Sequence, residues 1–87
     1  MIENMAQFKK YLLAGNPVTL IDYQWNGKSE PHKYLNIPRK PIKVQTNAVK
    51  FEGGSWLQYP KASQCQFTND TISINDGYCI LVYKFDN

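Results

Sequence analysis

The sequence predicts an α+β fold that is mainly β: a short N-terminal helix packed on a strongly bent antiparallel sheet or small barrel of 5–7 short strands. Three observations predict it. Apolar residues recur at helical spacing only near the start, at Ile2, Met5, Phe8, Leu12 and Leu13. After Pro17 the hydrophobic period changes to two. From there Asn26–Gly27, Gly53–Gly54, Asn69–Asp70 and Asp76–Gly77 punctuate the chain at short intervals, and close turns of this kind imply an antiparallel meander.

The elements follow in order. Residues 1–14 form the helix, with Glu3, Asn4, Gln7, Lys9 and Lys10 on its polar faces, and Gly15 before Asn16–Pro17 ends it. Residues 17–87 form the β part of a single 87-residue domain. Val18–Trp25 is a strand with Val18 and Leu20 on one side and Thr19, Ile21 and Tyr23 on the other. Asn26–Gly27 is a hairpin turn, because both central positions need positive φ. Pro31, Pro38 and Pro41 make residues 28–41 a loop or edge strand, since proline cannot donate to a central ladder; Tyr34, Leu35 and Ile37 indicate that part of it packs. Ile42–Thr46, Ala48–Glu52 and Ser55–Tyr59 are short strands, the last two joined by a two-residue Gly53–Gly54 turn. Gln64–Thr68, Thr71–Asn75 and Tyr78–Phe85 complete the sheet, and the apolar YCILVYKF run belongs at its centre.

Composition favours a folded binder. The chain is 43% hydrophobic and 14% aromatic, which excludes disorder, and carries a net charge of +3. Between Lys28 and Lys61 seven basic residues face Glu30 and Glu52, giving +5, while three lysines against five acids leave −2 elsewhere. A basic middle in a near-neutral chain points to a local anionic partner; a solubilising face is the alternative. The start MIENMAQFKK is not a signal peptide, and no apolar run reaches membrane-span length. A cytoplasmic location is therefore the expectation, with no membrane partner and with Cys65 and Cys79 reduced.

Catalytic and metal constellations are missing. His32 is the single histidine, and beside Ser29 and Glu30 it reads as an exposed loop residue rather than part of a triad. The acids Asp22, Glu30, Glu52, Asp70, Asp76 and Asp86 are scattered, and one His with two separated Cys is no zinc set. Gly53–Gly54 lacks the lysine and helix of a phosphate loop. No cofactor and no enzymatic activity are expected.

Binding chemistry concentrates in KPIKVQTNAVKFEGGSWLQYPKAS, residues 40–63. If Ile42, Val44, Val49, Phe51 and Leu57 face the core, Lys43, Gln45 and Lys50 share the outer face. Trp56 either joins them as a stacking platform or sits in the core. Arg39 and Lys40, flanked by Pro38 and Pro41, are either a displayed anion clamp or a solvated loop tip. The candidate binding residues are Arg39, Lys40, Lys43, Gln45, Lys50, Trp56, Tyr59 and Lys61.

The stretches KVQTN (Lys43–Asn47) and SWLQYPKAS (Ser55–Ser63) resemble a loose group of small phage and prophage proteins. That group carries a short helix ending in Gly, a V-Q-x-N stretch, a Ser-Trp and a Pro-Lys-Ala-Ser. The resemblance implies a non-catalytic accessory protein that counters bacterial defence. It would block a nuclease complex as anti-CRISPR proteins do, or sequester an anionic nucleotide signal. A protein-effector inhibitor would expose Trp25, Tyr34, Trp56 and Tyr59 as anchors. A signal sponge would need a concave pocket with Arg or Lys and an aromatic, a homo-oligomer interface being one place for it. The alternative is a single-strand nucleic-acid binder using the same basic and aromatic strands.

Overall fold

The computed structural model describes residues 2–85. Met1, Asp86 and Asn87 lie outside the described residues, and with them one end of the 1–14 segment and one of the scattered acids. The fold is α+β and mainly β, with antiparallel sheets and 46% strand. Its elements are α1 (Met5–Leu13), β1 (Val18–Trp25), β2 (Lys28–Ser29), β3 (Pro38–Arg39), β4 (Pro41–Val44), β5 (Ala48–Phe51), β6 (Trp56–Gln58), β7 (Cys65–Phe67), β8 (Thr71–Asn75) and β9 (Cys79–Phe85).

Helix α1 starts later than its apolar pattern, because Asn4 caps it. The Asn4 side chain accepts from the Gln7 N–H at 2.9 Å, and Gln7 Oε1 accepts from the Glu3 N–H at 2.6 Å. It ends where Gly15, at φ +84°, donates to the Leu12 carbonyl. Phe8 and Leu12 are fully buried, whereas Leu13 is 68% exposed and does not belong to the packed stripe. Five residues beyond Phe8, it points well off the buried face.

The strands form two sheets. The larger has the order β2–β1–β9–β8–β7, with β3 pairing the start of β1; the smaller is β4–β5–β6. This departs from a simple meander, since the first strand lies beside the last. Strand β9 is central, between β1 and β8, as its apolar run requires. Phe8 and Leu12 pack with Val18, Ile72, Ile74 and Phe85 of the larger sheet and Val49, Phe51 and Leu57 of the smaller, so α1 and both sheets share one core. The Phe8 and Phe85 rings lie 5.4 Å apart.

Two register shifts overturn the simple alternation. In β1, Leu20 pairs with Tyr83 but Asp22 pairs with Val82, so Ile21 is an extra residue. Beyond it Tyr23 and Trp25 turn to the same face as Leu20, which for Tyr23 is opposite to the expected side. In β4, Pro41 pairs with Phe51 but Lys43 pairs with Lys50, so Ile42 bulges out. It is 58% exposed instead of packing in the core. The Gly53–Gly54 turn is also longer than two residues. The Phe51 N–H meets the Ser55 carbonyl, enclosing Glu52, Gly53 and Gly54. Asn26–Gly27 matches its expectation, with φ of 53° and 80°.

Candidate ligand cleft

Strand β3 carries the main surprise. Arg39 pairs directly with Val18, whose side chain faces the core, and directly opposed antiparallel residues share a face. Arg39 therefore points inward and is 8% exposed; it is not a solvated loop tip. Its neighbour Lys40 is exposed. Pro38 is tolerated because β3 pairs on one side only.

The Arg39 guanidinium lies 3.5 Å from the centroid of the Tyr34 ring and 5.7 Å from that of Phe51. It donates through Nη2 to the Glu52 carbonyl. No carboxylate among the described residues lies within ion-pair distance of it. The β5–β6 connection closes over this group because Gly53 has no side chain. A Cβ there would stand 3.2 Å from the Tyr34 hydroxyl and 3.3 Å from Arg39 Nη2, and its φ of +89° also favours glycine.

Between the sheets, beside Arg39, lies a cleft of about 250 Å³. Leu20, Leu81 and Tyr83 supply one wall and Phe51, Leu57 and Trp56 the other, with His32, Tyr34 and Ser55 at the margin. The Phe51 and Tyr83 rings stack across it with centroids 6.4 Å apart. Burial pushes the Tyr83 phenol above its ordinary range, with nearby Arg39 pulling the other way. A phenol held neutral can both donate and accept.

His32 is half-buried rather than an exposed loop residue. Its ring packs edge-on against Tyr23 at 5.0 Å, and its Nδ1 accepts from the Tyr34 N–H at 3.1 Å. That bond fixes the proton of the neutral ring on Nε2, making His32 a donor. A triad base has the opposite arrangement, with Nδ1 donating to an acid and Nε2 free to take a proton. The cleft thus offers a guanidinium, the Tyr83 phenol, an imidazole N–H and flat apolar walls. Such a set suits an anionic group attached to a ring. Among the described residues no three His, Cys, Asp or Glu side chains group as metal ligands.

The other candidate residues lie on the outer face of the smaller sheet. Lys43 pairs with Lys50, and Lys50 with Trp56, in one cross-strand row. Gln45, two residues beyond Lys43, is exposed. Trp56 is 49% exposed, with Lys50 Nζ 5.8 Å from its ring; its position resolves to the surface, with one edge lining the cleft. Lys61 is exposed in the connection to β7. Tyr59 departs from this set. Its ring packs on the core, Lys9 Nζ lies 4.7 Å from it, and its hydroxyl is buried with no hydrogen-bond partner among the described residues. The candidate residues thus divide into Arg39 within the cleft, Lys43 and Lys50 on the outer face with Trp56 reaching from their row to the cleft edge, exposed Lys40, Gln45 and Lys61, and a packed Tyr59. Sequence reasoning missed the cleft's His32, Gly53, Ser55 and Tyr83.

No family model matches this sequence, and neither any curated protein nor any solved structure matches it.

Proposed function

We propose that this protein acts stoichiometrically, holding a small anionic ligand of the nucleotide class in the cleft between its sheets. One observation carries the reading: Arg39 is a buried cation with no carboxylate partner among the described residues, stacked on an aromatic ring. A buried charge is costly unless paired, so an arginine held this way is best accounted for by an anion that arrives from outside. The apolar walls beside it would receive a base. The resemblance to phage-type proteins supplies a setting, in which a cytoplasmic accessory protein withdraws a signal on which host defence depends.

The test is affinity capture from infected or prophage-bearing cells, with mass spectrometry of both the proteins and the small molecules retained. A nucleotide-class ligand should come with the wild-type protein and be lost from Arg39→Met. Retention of a host protein by both forms, with no small molecule on either, would replace this reading with effector blocking.

A second reading, single-strand nucleic-acid binding, rests on the Lys43–Lys50–Trp56 row. Directly opposed like charges are unfavourable in a sheet, and two lysines beside a half-exposed tryptophan would be relieved by a stacked polyanion. Binding through that face should weaken steeply with salt.

A further inference from the structure

The cleft continues into a row of rings. After the extra residue Ile21, Tyr23 and Trp25 share the face of Leu20, and Trp25 pairs with Cys79 on β9. This end of the sheet extends past the packed core. Trp25 is 45% and Tyr78 72% exposed, yet they stack on each other with centroids 6.2 Å apart and planes at 24°. The way back to the cleft is paved. Tyr23 contacts His32 at 5.0 Å, His32 lies 6.0 Å from Tyr34, and Tyr34 lies 3.5 Å from the Arg39 guanidinium. Cations accompany the row: Lys33 Nζ is 5.4 Å from the Tyr34 ring, and Lys28 pairs directly with Trp25. Two acids also act on the row through Tyr23: Asp76, whose carboxylate accepts from the Tyr78 and Cys79 N–H groups at 3.0 and 2.7 Å, and Glu30, whose backbone N–H meets the Tyr23 carbonyl at 2.8 Å.

From this continuity we infer that the ligand is a short phosphodiester-linked oligonucleotide of two or three residues, rather than a mononucleotide. One phosphate meets Arg39, and a second base stacks on the Trp25–Tyr78 platform. Trp25 lies seven residues along β1 from Val18, the partner of Arg39. With Ile21 bulged out, six ladder steps at roughly 3.3 Å each make about 20 Å of strand, longer than one nucleotide reaches. Stacked rings with cations between them serve consecutive bases and phosphates, and stacking tolerates any base. The inference rests on the cleft reading, and its test separates the two.

The experiment is isothermal titration of wild type, Trp25→Ala, Tyr78→Ala and Trp25→Phe with 5′-AMP and with linear triadenylate, each fold checked by circular dichroism. Triadenylate should bind the wild type at least roughly tenfold more tightly than 5′-AMP. Trp25→Ala and Tyr78→Ala should each remove most of that difference while leaving 5′-AMP affinity unchanged, and Trp25→Phe should restore most of it. Equal affinity of both probes for wild type, or an unaltered difference in Trp25→Ala and Tyr78→Ala, would overturn the inference and leave the cleft reading standing. Failure of both probes to bind wild type would overturn both. Cyclic diadenylate as a third probe separates two sources of the same chemistry. Tighter, Trp25-dependent binding than the linear form supports a closed signal molecule, and weaker Trp25-dependent binding supports a strand end.

Discussion

Replacing Arg39 by Met should weaken ligand binding strongly while leaving the fold nearly as stable as before. The substitution removes a charge-assisted hydrogen bond to the Glu52 carbonyl, a loss of about 1.5–3 kcal/mol. It also removes the stack on Tyr34, a loss of up to about 2 kcal/mol. Against these stands the relief of a cation 8% exposed with no carboxylate beside it among the described residues, which is worth several kcal/mol. Met keeps most of the apolar stem's packing, and exposed Glu52 leaves its carbonyl within reach of water. The opposing effects nearly cancel, so the net change should lie within about 1 kcal/mol of zero, or about 4–8 °C in Tm for a domain of this size. Affinity for 5′-AMP should fall at least about 30-fold, as for other truncations of a buried charge pair. Urea unfolding followed by circular dichroism gives the first quantity, and titration calorimetry the second. A stability loss above about 3 kcal/mol would show that Arg39 is a structural tie, since removing one partner of a buried pair costs about that much. Unchanged 5′-AMP affinity would remove Arg39 from the site.

Three further outcomes test the frame around the cleft. Leu12→Ala empties a position 1% exposed between α1 and both sheets and should cost about 2–5 kcal/mol in urea unfolding; an unchanged midpoint would detach the helix from the core. Lys43→Glu turns the Lys43–Lys50 pair into an opposite-charge pair and should stabilise the sheet by about 0.2–1 kcal/mol, while weakening any single-strand binding through that face. Burial raises the Tyr83 phenol above its ordinary 10.0, so the stability linked to it is complete below that value and is lost as pH rises through the raised one. Urea midpoints across the alkaline range should therefore fall less steeply in Tyr83→Phe; parallel curves would contradict this.

The fold class was legible because hydrophobic period and turn chemistry are local. Phe8 and Leu12 at helical spacing, the Asn26–Gly27 turn and the apolar β9 run all appear where their patterns require. Pairing was not legible, because alternation identifies faces but not neighbours, and nothing in the sequence says that β9 lies beside β1. Single extra residues did the most damage. Ile21 inverts the alternation beyond it and Ile42 turns itself out of the core, and a bulge leaves no composition signal when the extra residue is as apolar as its neighbours. The site divides along the same line. The outward faces of Lys43 and Lys50 were readable from period two, whereas that of Trp56 was left open between surface and core. Arg39 was not, since its inward direction comes from pairing with Val18, twenty-one residues away in sequence. His32 was misread for the same reason: its partners Tyr23 and Tyr34 come together only because the loop folds back over β1, where the Asn36 N–H meets the Leu20 carbonyl.

The central claim, that a buried arginine with no carboxylate partner among the described residues makes the cleft between the sheets an anion site, is tested most directly by nuclear magnetic resonance. ¹⁵N-labelled protein would be titrated with 5′-AMP while the Arg39 Nε–H, the Trp56 indole and the backbone amides are followed. The account predicts saturable shifts at the Arg39 side chain together with Tyr34, Gly53 and Ser55, and smaller ones at Lys43. Shifts confined to Lys43, Lys50 and Gln45, with the Arg39 Nε–H unmoved, would contradict it.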